Sequence, residues 1–155
     1  MSALPIEQID CRGMQLADLD EVVPLELQCY IVPWTRGNFI DSLAAGYEAR
    51  VLRSGSGELL GYFVAMQGFE EMHLLNITVA PAHQGRGLAL LMLEELRAIC
   101  RGHAARQLWL EVRISNERAR AIYRRYGFAE VGLRRGYYPM PAGPREDAVL
   151  MSLDL

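Results

Sequence analysis

The stretch Leu75-Asn76-Ile77-Thr78-Val79-Ala80-Pro81-Ala82-His83-Gln84-Gly85-Arg86-Gly87-Leu88-Ala89-Leu90 decides how this chain is read. It passes from an apolar, strand-like segment through a turn with two glycines into a leucine-rich helix. Strand, glycine turn and helix together gather backbone N–H groups around an anion. Gly87 lets the main chain approach a phosphate, Arg86 adds a positive charge, and the helix starting at Leu88 directs its positive dipole end at the turn. A plain tight turn entering a helix has the same local pattern, so the surroundings must decide. Two familiar phosphate loops are excluded. There is no Gly-Lys-Ser/Thr, and the G-x-G-x-x-G spacing is absent from a turn that follows the fourth strand rather than the first.

Working outward, residues 6–12 read as a first strand. Residues 16–28 read as a helix, with Leu16, Leu19, Val22, Val23, Glu26 and Leu27 at helical spacing and Pro24 as a kink. Pro33-Trp34-Thr35 breaks the pattern, and Thr35 is placed to cap a second helix to residue 45, ended by Gly46. Residues 48–53 and 59–66 form a hairpin candidate around Ser54-Gly55-Ser56-Gly57, and residues 72–79 form another strand. After the glycine turn, residues 88–100 read as a helix with Leu90, Leu91, Leu93, Leu96 and Ile99 on its apolar face, stopped by Gly102. In the strand 107–112, Leu108, Leu110 and Val112 share one face, Trp109 and Glu111 the other. Ser115 or Asn116 caps a last helix ending at Tyr126 and Gly127. Strands at 129–134 and 148–153 flank a Tyr-Pro-Gly loop. The order β-α-α-β-β-β-α-β-α-β-β predicts a mixed α/β sheet with helices on both faces.

The 155 residues and 17.4 kDa fit a single domain spanning 1–155. With 51% hydrophobic and 23% charged residues the composition is that of a soluble globule rather than a disordered chain. No apolar run reaches the roughly 20 residues of a membrane helix, and no basic-then-apolar leader opens the chain, so no membrane association and a cytoplasmic location are expected. The net charge of −3 argues against charge-driven nucleic-acid binding. All 16 basic residues are Arg. They are unevenly placed: residues 1–77 hold 4 Arg against 11 acidic residues, residues 78–155 hold 12 against 8. A basic half suits an anionic ligand and an acidic half a cationic one, although Arg scattered over solvated faces gives the same tally. Cys11, Cys29 and Cys100 form no C-x-x-C pair and read as reduced, buried thiols; His73, His83 and His103 lack ligand spacing, so no metal is expected.

Taken together, these segments resemble the GNAT superfamily of N-acetyltransferases. The turn matches its Q/R-x-x-G-x-G/A motif for the coenzyme A pyrophosphate, with Ala89 at the last position. Leu75-Asn76-Ile77-Thr78-Val79 resembles the superfamily's ligand-binding strand. Trp109-Leu110-Glu111-Val112-Arg113, Ser115-Asn116, Ala121-Ile122-Tyr123, Tyr126-Gly127-Phe128, Arg134-Arg135-Gly136-Tyr137-Tyr138-Pro139 and Arg145-Glu146-Asp147-Ala148 narrow the resemblance to the bacterial ribosomal-protein alanine N-acetyltransferases. It covers residues 33–152. It implies a mixed, mostly antiparallel sheet of about seven strands with helices on both faces. It also implies acetyl-CoA as cosubstrate, no metal, and the N-terminal alanine of a small-subunit ribosomal protein as acceptor. A monomer is expected.

Acetyl transfer to an amine requires removal of a proton from the amine, polarisation of the thioester and a proton for the departing thiolate. Spacing leaves Glu111 open between a solvated strand residue and a base whose pKa is raised by an apolar setting. The resemblance places the family's base here. Tyr123 is open between core packing and acid catalysis, and the resemblance places the general acid on it. Asn116, Arg120 and Tyr123 fall at i, i+4 and i+7, so Asn116 is expected to reach the pantetheine arm. The resemblance implies that the backbone of Ile77, Thr78 and Val79 holds that arm and that Gly85, Arg86, Gly87, Leu88, Ala89 and Leu90 hold the pyrophosphate. Trp34, Tyr137 and Tyr138 are expected on loops, either as walls for the acceptor or as loop-edge packing. Glu70 and Glu71 either attract a basic peptide or simply solvate a hairpin end. The loop Met140-Pro141-Ala142-Gly143-Pro144 departs from the family pattern. A small-amine acceptor and a coenzyme-binding module without catalysis are the competing readings.

Overall fold

Strict alternation builds the strand that carries Glu111. In Gln107–Arg113, Leu108, Leu110 and Val112 are buried on one face, and Trp109, Glu111 and Arg113 occupy the other. The computed structural model describes residues 8–155. In chain order it contains β1 (Ile9–Gly13), α1 (Leu19–Cys29), α2 (Arg36–Ala44), β2 (Glu48–Ser54), β3 (Leu59–Gly68), β4 (Glu71–Val79), α3 (Leu88–Gly102), β5 (Gln107–Arg113), α4 (Glu117–Tyr126), β6 (Ala129–Tyr138) and β7 (Glu146–Asp154). Short 3-10 turns lie at Leu16–Asp18 and Pro81–His83. Among the described residues seven strands pair in the order β1-β2-β3-β4-β5-β7-β6. β1/β2, β2/β3, β5/β7 and β6/β7 are antiparallel, and β4/β5 is parallel. The fold is thus the expected mixed, mostly antiparallel sheet with helices on both faces.

Several boundaries move for physical reasons. The expected first strand begins at residue 6, and residues 6 and 7 lie outside the described residues. The helix expected from 16 starts as a 3-10 turn, becomes α-helical at Leu19 and continues through Pro24. Thr35 caps α2 as expected: its Oγ1 accepts from Asn38 N (3.1 Å) and Asn38 Oδ1 accepts from Thr35 N (2.9 Å). Along α3 the buried residues are Leu88, Met92, Leu93, Leu96 and Cys100, while Leu90 is 39% exposed. The uniformly apolar run at the start of α3 does not fix its own phase. Tyr137 and Tyr138, expected on a loop, belong to β6, which runs on to Tyr138 by pairing with β7 across a register shift between Arg134 and Tyr138. Gly136, at φ 57°, sits within that shift.

The described residues divide into two compact units. The first comprises the described part of Met1–Ala65 together with Asn76–Glu95. Its core holds Leu19, Val22, Phe39, Val51, Leu60 and Tyr62, each fully buried. It also contains a buried ion pair in which Arg53 Nη2 lies 2.9 Å from Asp18 Oδ1 and 3.0 Å from Glu21 Oε1. The second comprises Met66–Leu75 and Leu96–Leu155, with Met72, Leu108, Leu110, Met151 and Phe128 buried. No described helix is long and apolar enough to cross a membrane. None of the three cysteines is in a disulfide among the described residues; Cys100 is buried, whereas Cys11 and Cys29 are only partly so. Burial pushes the Cys11 thiol up to about 11 and raises Cys29 as well.

Candidate active site

In the first unit, the end of β4 and the turn after it form the candidate anion cradle. Thr78 turns its side chain inward: Oγ1 donates to Asn76 Oδ1 (2.8 Å) and lies 2.6 Å from the Tyr30 hydroxyl. The Tyr30 hydroxyl also donates to the carbonyl of Ile77 (3.1 Å). Ile77 and Val79 are half-buried on the opposite side of the strand. At Gly61 on β3 a methyl group would stand 2.6 Å from the Thr78 carbonyl oxygen, so glycine there lets β4 lie close. Gly85 and Gly87 both have φ 79°, and a Cβ on either would meet nothing within 4 Å. The glycines are required by backbone conformation, and the space above them is open to a ligand. The carbonyl of Gly87 accepts the first α3 bond, from Leu91 N (3.0 Å). Helical geometry then leaves the N–H groups of Leu88, Ala89 and Leu90 without intrahelical acceptors. These features fit a pyrophosphate. Arg86, expected to add charge to the turn, lies beside His83, Nη1 to Nδ1 at 3.4 Å, and His83 Nε2 donates to Glu58 Oε2 (2.8 Å).

The first unit also contains a buried hub that the sequence reading did not assign to the site. Glu26 is 2% exposed. Its Oε1 accepts from the Tyr62 hydroxyl (2.7 Å) and Asn76 Nδ2 (3.0 Å), and its Oε2 accepts from the backbone N–H of Trp34 (3.0 Å). Trp34 lies between α1 and α2, as expected, with its ring 5.1 Å from Phe39. The available signal was a charged residue at an apolar phase of α1.

The second unit holds the candidate acid and base. Glu111 is not a solvated strand residue: its side chain is 5% exposed. Oε1 accepts from the Tyr137 hydroxyl (3.0 Å) and lies 3.0 Å from His73 Nε2. Oε2 is buried with no partner among the described residues. The expectation of a raised pKa is corrected. Burial does push the carboxyl up, but His73, Tyr137 and the positive charge of Arg134 outweigh it and hold it below the usual carboxylate value. Tyr137 is therefore tied to the candidate base rather than standing only as a wall. The Tyr138 ring lies 4.5 Å from the guanidinium carbon of Arg113, and burial raises its hydroxyl far above the usual value. Tyr123 is buried in α4, edge-on to Phe128 at 5.7 Å.

Asn116 caps α4, one of the two caps expected from the sequence. It is the N-cap, outside helical conformation at φ −85° and ψ 70°, and its Oδ1 accepts from Ala119 N (3.2 Å). Its carbonyl accepts the first α4 bond, from Arg120 N (3.1 Å). Arg120 is engaged with Glu130 and the Ile114 carbonyl. Glu70 takes part in local structure, its carbonyl accepting from Arg106 N (2.7 Å). Among the described residues no three His, Cys, Asp or Glu side chains gather as a metal site.

The sequence profile of the Acetyltransferase (GNAT) family matches residues 19–128, more than two-thirds of the chain. The chain is 34% identical over 139 residues to the [Ribosomal protein bS18]-alanine N-acetyltransferase of Haemophilus influenzae, covering 90% of this chain and 94% of that protein. The corresponding Escherichia coli enzyme is 33% identical over 143 residues, covering 92% and 95%. The crystal structure of the E. coli ribosomal-protein-S18-alanine N-acetyltransferase superposes with a TM-score of 0.85 over 94% of this chain and 93% of that one, at 32% identity. Ard1 from Thermoplasma volcanium shares the fold at a TM-score of 0.85 with 19% identity, over 96% and 98% of the two chains. Profile, sequence and fold agree, and the chain belongs to the GNAT family of acetyl-CoA-dependent acetyltransferases.

Proposed function

We propose that this enzyme acetylates the N-terminal alanine of a ribosomal protein, the acceptor named for its relatives in Haemophilus influenzae and E. coli. One observation carries the chemical part of the reading: Glu111 is buried, held through Oε1 and unpartnered at Oε2. An unpaired buried carboxylate oxygen is costly, and it is retained where a ligand supplies the missing donor. With a ribosomal acceptor, a cytoplasmic reaction is part of the same proposal.

Acetyl-CoA supplies the acyl group as an activated thioester. The backbone N–H groups of the Gly85–Leu90 turn bind its pyrophosphate, and the main chain of Ile77–Val79 aligns its arm. Glu111 Oε2 receives the amine. Held below its ordinary value, Glu111 is ionised when the amine arrives and takes the proton as the new N–C bond forms and the nitrogen becomes acidic. A weak base of this kind favours the α-amine. The α-amine has a pKa near ~8 against ~10.4 for a lysine side chain, so deprotonating the lysine costs about 3.3 kcal/mol more. Tyr123 donates a proton to the departing thiolate. Trp34 bounds the acceptor peptide.

The test is a thiol-release assay with three acceptors: a peptide carrying the ribosomal target's N-terminus, the same peptide blocked at its α-amine, and a panel of small amines. Turnover with the first alone is expected. Equal turnover with the blocked peptide, or faster turnover with small amines, refutes the assignment. The chain has no lysine, so acetylation of its own side-chain amines does not confuse the readout.

A further inference from the structure

His73 enters the acid–base cluster through strand pairing. On β4 it pairs in register with Trp109 on β5. Its ring stacks on the indole with centroids 3.6 Å apart and planes within 9°. Its Nε2 lies 3.0 Å from Glu111 Oε1, and both side chains are largely buried, 11% and 5% exposed. A carboxylate can only accept, so Nε2 carries the hydrogen. The Tyr137 hydroxyl donates to the same oxygen. Two donors thus converge on Oε1, and among the described residues none reaches Oε2.

We propose that His73 is a positioning residue which, with Tyr137, pins Oε1 of Glu111 and so reserves Oε2 for the acceptor amine. This rests on the acetyl-transfer reading above. The stack on Trp109 fixes the plane of the imidazole, and the plane fixes the direction of the Nε2–H bond. The carboxylate is then held in one rotamer and in its ionised form before the amine arrives. The charged and titratable groups facing Glu111 are His73 from β4 and Tyr137, Tyr138 and Arg134 from β6. Of these, His73 is the foremost in opposing the effect of burial.

Two substitutions in the full-length enzyme separate positioning from packing. His73→Phe keeps a ring on Trp109 and removes the donor. His73→Gln keeps an N–H donor and loses the ring. We expect His73→Phe to lower kcat by about tenfold or more, as for loss of a hydrogen bond to a charged group. The acid-side break in its kcat/KM profile should move to higher pH, with the KM for acetyl-CoA nearly unchanged. His73→Gln should stay within about threefold of wild type, its donor retained. The opposite ranking, equal losses in the two variants, or a wild-type pH profile in His73→Phe overturns the proposal. The 13C shift of the Glu111 carboxyl, followed against pH, reads its ionisation without any acceptor. An upward shift in His73→Phe supports the role of His73 even if no peptide is turned over, and an unmoved titration overturns it. Should the wild type turn over no α-amine, the acceptor assignment fails independently. Should His73→Phe not fold, the His73→Gln titration decides: coincidence with wild type supports the proposal and displacement overturns it.

Discussion

Gly61→Ala probes whether β4 must lie where it does to hold the cofactor. The added methyl would stand 2.6 Å from the Thr78 carbonyl oxygen and 3.1 Å from Met92 Cε. The methionine end can swing away, but the carbonyl belongs to the backbone of the very segment assigned to the pantetheine arm. Moving from 2.6 Å to the 3.4 Å of ordinary contact requires a shift of about 0.8 Å in β3 or β4. Overpacking of this kind costs roughly 1–3 kcal/mol. At about 2–4 °C per kcal/mol for a chain of this size, Tm should fall by about 2–12 °C. A β4 displaced by that distance is expected to weaken one main-chain hydrogen bond of about 0.5–1.5 kcal/mol from the proposed Ile77–Val79 cradle, lowering acetyl-CoA affinity by roughly two- to tenfold. Calorimetric titration with acetyl-CoA and thermal denaturation read the two effects. Gly13→Ala is the control, since its methyl would meet nothing within 4 Å. A Gly61→Ala protein with wild-type Tm and wild-type affinity would refute the reasoning, as would a control that behaves the same way.

Other perturbations separate the remaining roles. Glu111→Gln should lower kcat by about a hundredfold or more, in line with loss of a general base, while calorimetry shows acetyl-CoA affinity nearly intact. Tyr123→Phe should slow thiol release when chemistry limits turnover; an unaltered single-turnover rate removes it from the mechanism. Asp18→Asn should destabilise the fold by about 3 kcal/mol, because it leaves buried Arg53 short of a carboxylate. Asp18 is pushed up by burial but held lower overall by Gln15 N, Arg53 and Arg12. With its folded pKa below the unfolded one, its contribution is full above the unfolded value of ~3.9 and is lost as pH falls through the folded value. The gap in Tm between wild type and Asp18→Asn should therefore be wide at neutral pH and close on acidification.

The glycine turn was legible because conformation constrains it: two residues at φ 79° admit little besides glycine, and the helix start follows at once. The face of β5 bearing Glu111 was legible from alternation. The electrostatics of Glu111 were not, because they depend on register. His73 and Trp109 meet only when β4 pairs in parallel with β5, and Tyr137 reaches Oε1 only because β6 extends past its expected end. Burial alone argues for a raised pKa, and the two donors and Arg134 reverse it. Asn116 was legible as a cap because a side-chain oxygen just ahead of a helix satisfies one of its unpaired N–H groups. Glu26 stood in plain view among apolar positions, yet its partners come from β3, β4 and the segment after α1, none of which its neighbours in the chain announce.

That Glu26 junction also constrains how acceptor choice can diverge. The backbone carrying Trp34 is anchored on the same carboxylate that steadies Asn76, and Asn76 in turn steadies Thr78. Under the proposed function, grafting a foreign 31–34 segment without matching this anchor would disturb the strand proposed to hold the cofactor arm along with the proposed peptide wall. Recognition of a new protein terminus is therefore free to drift only through side chains that leave the anchoring amide in place.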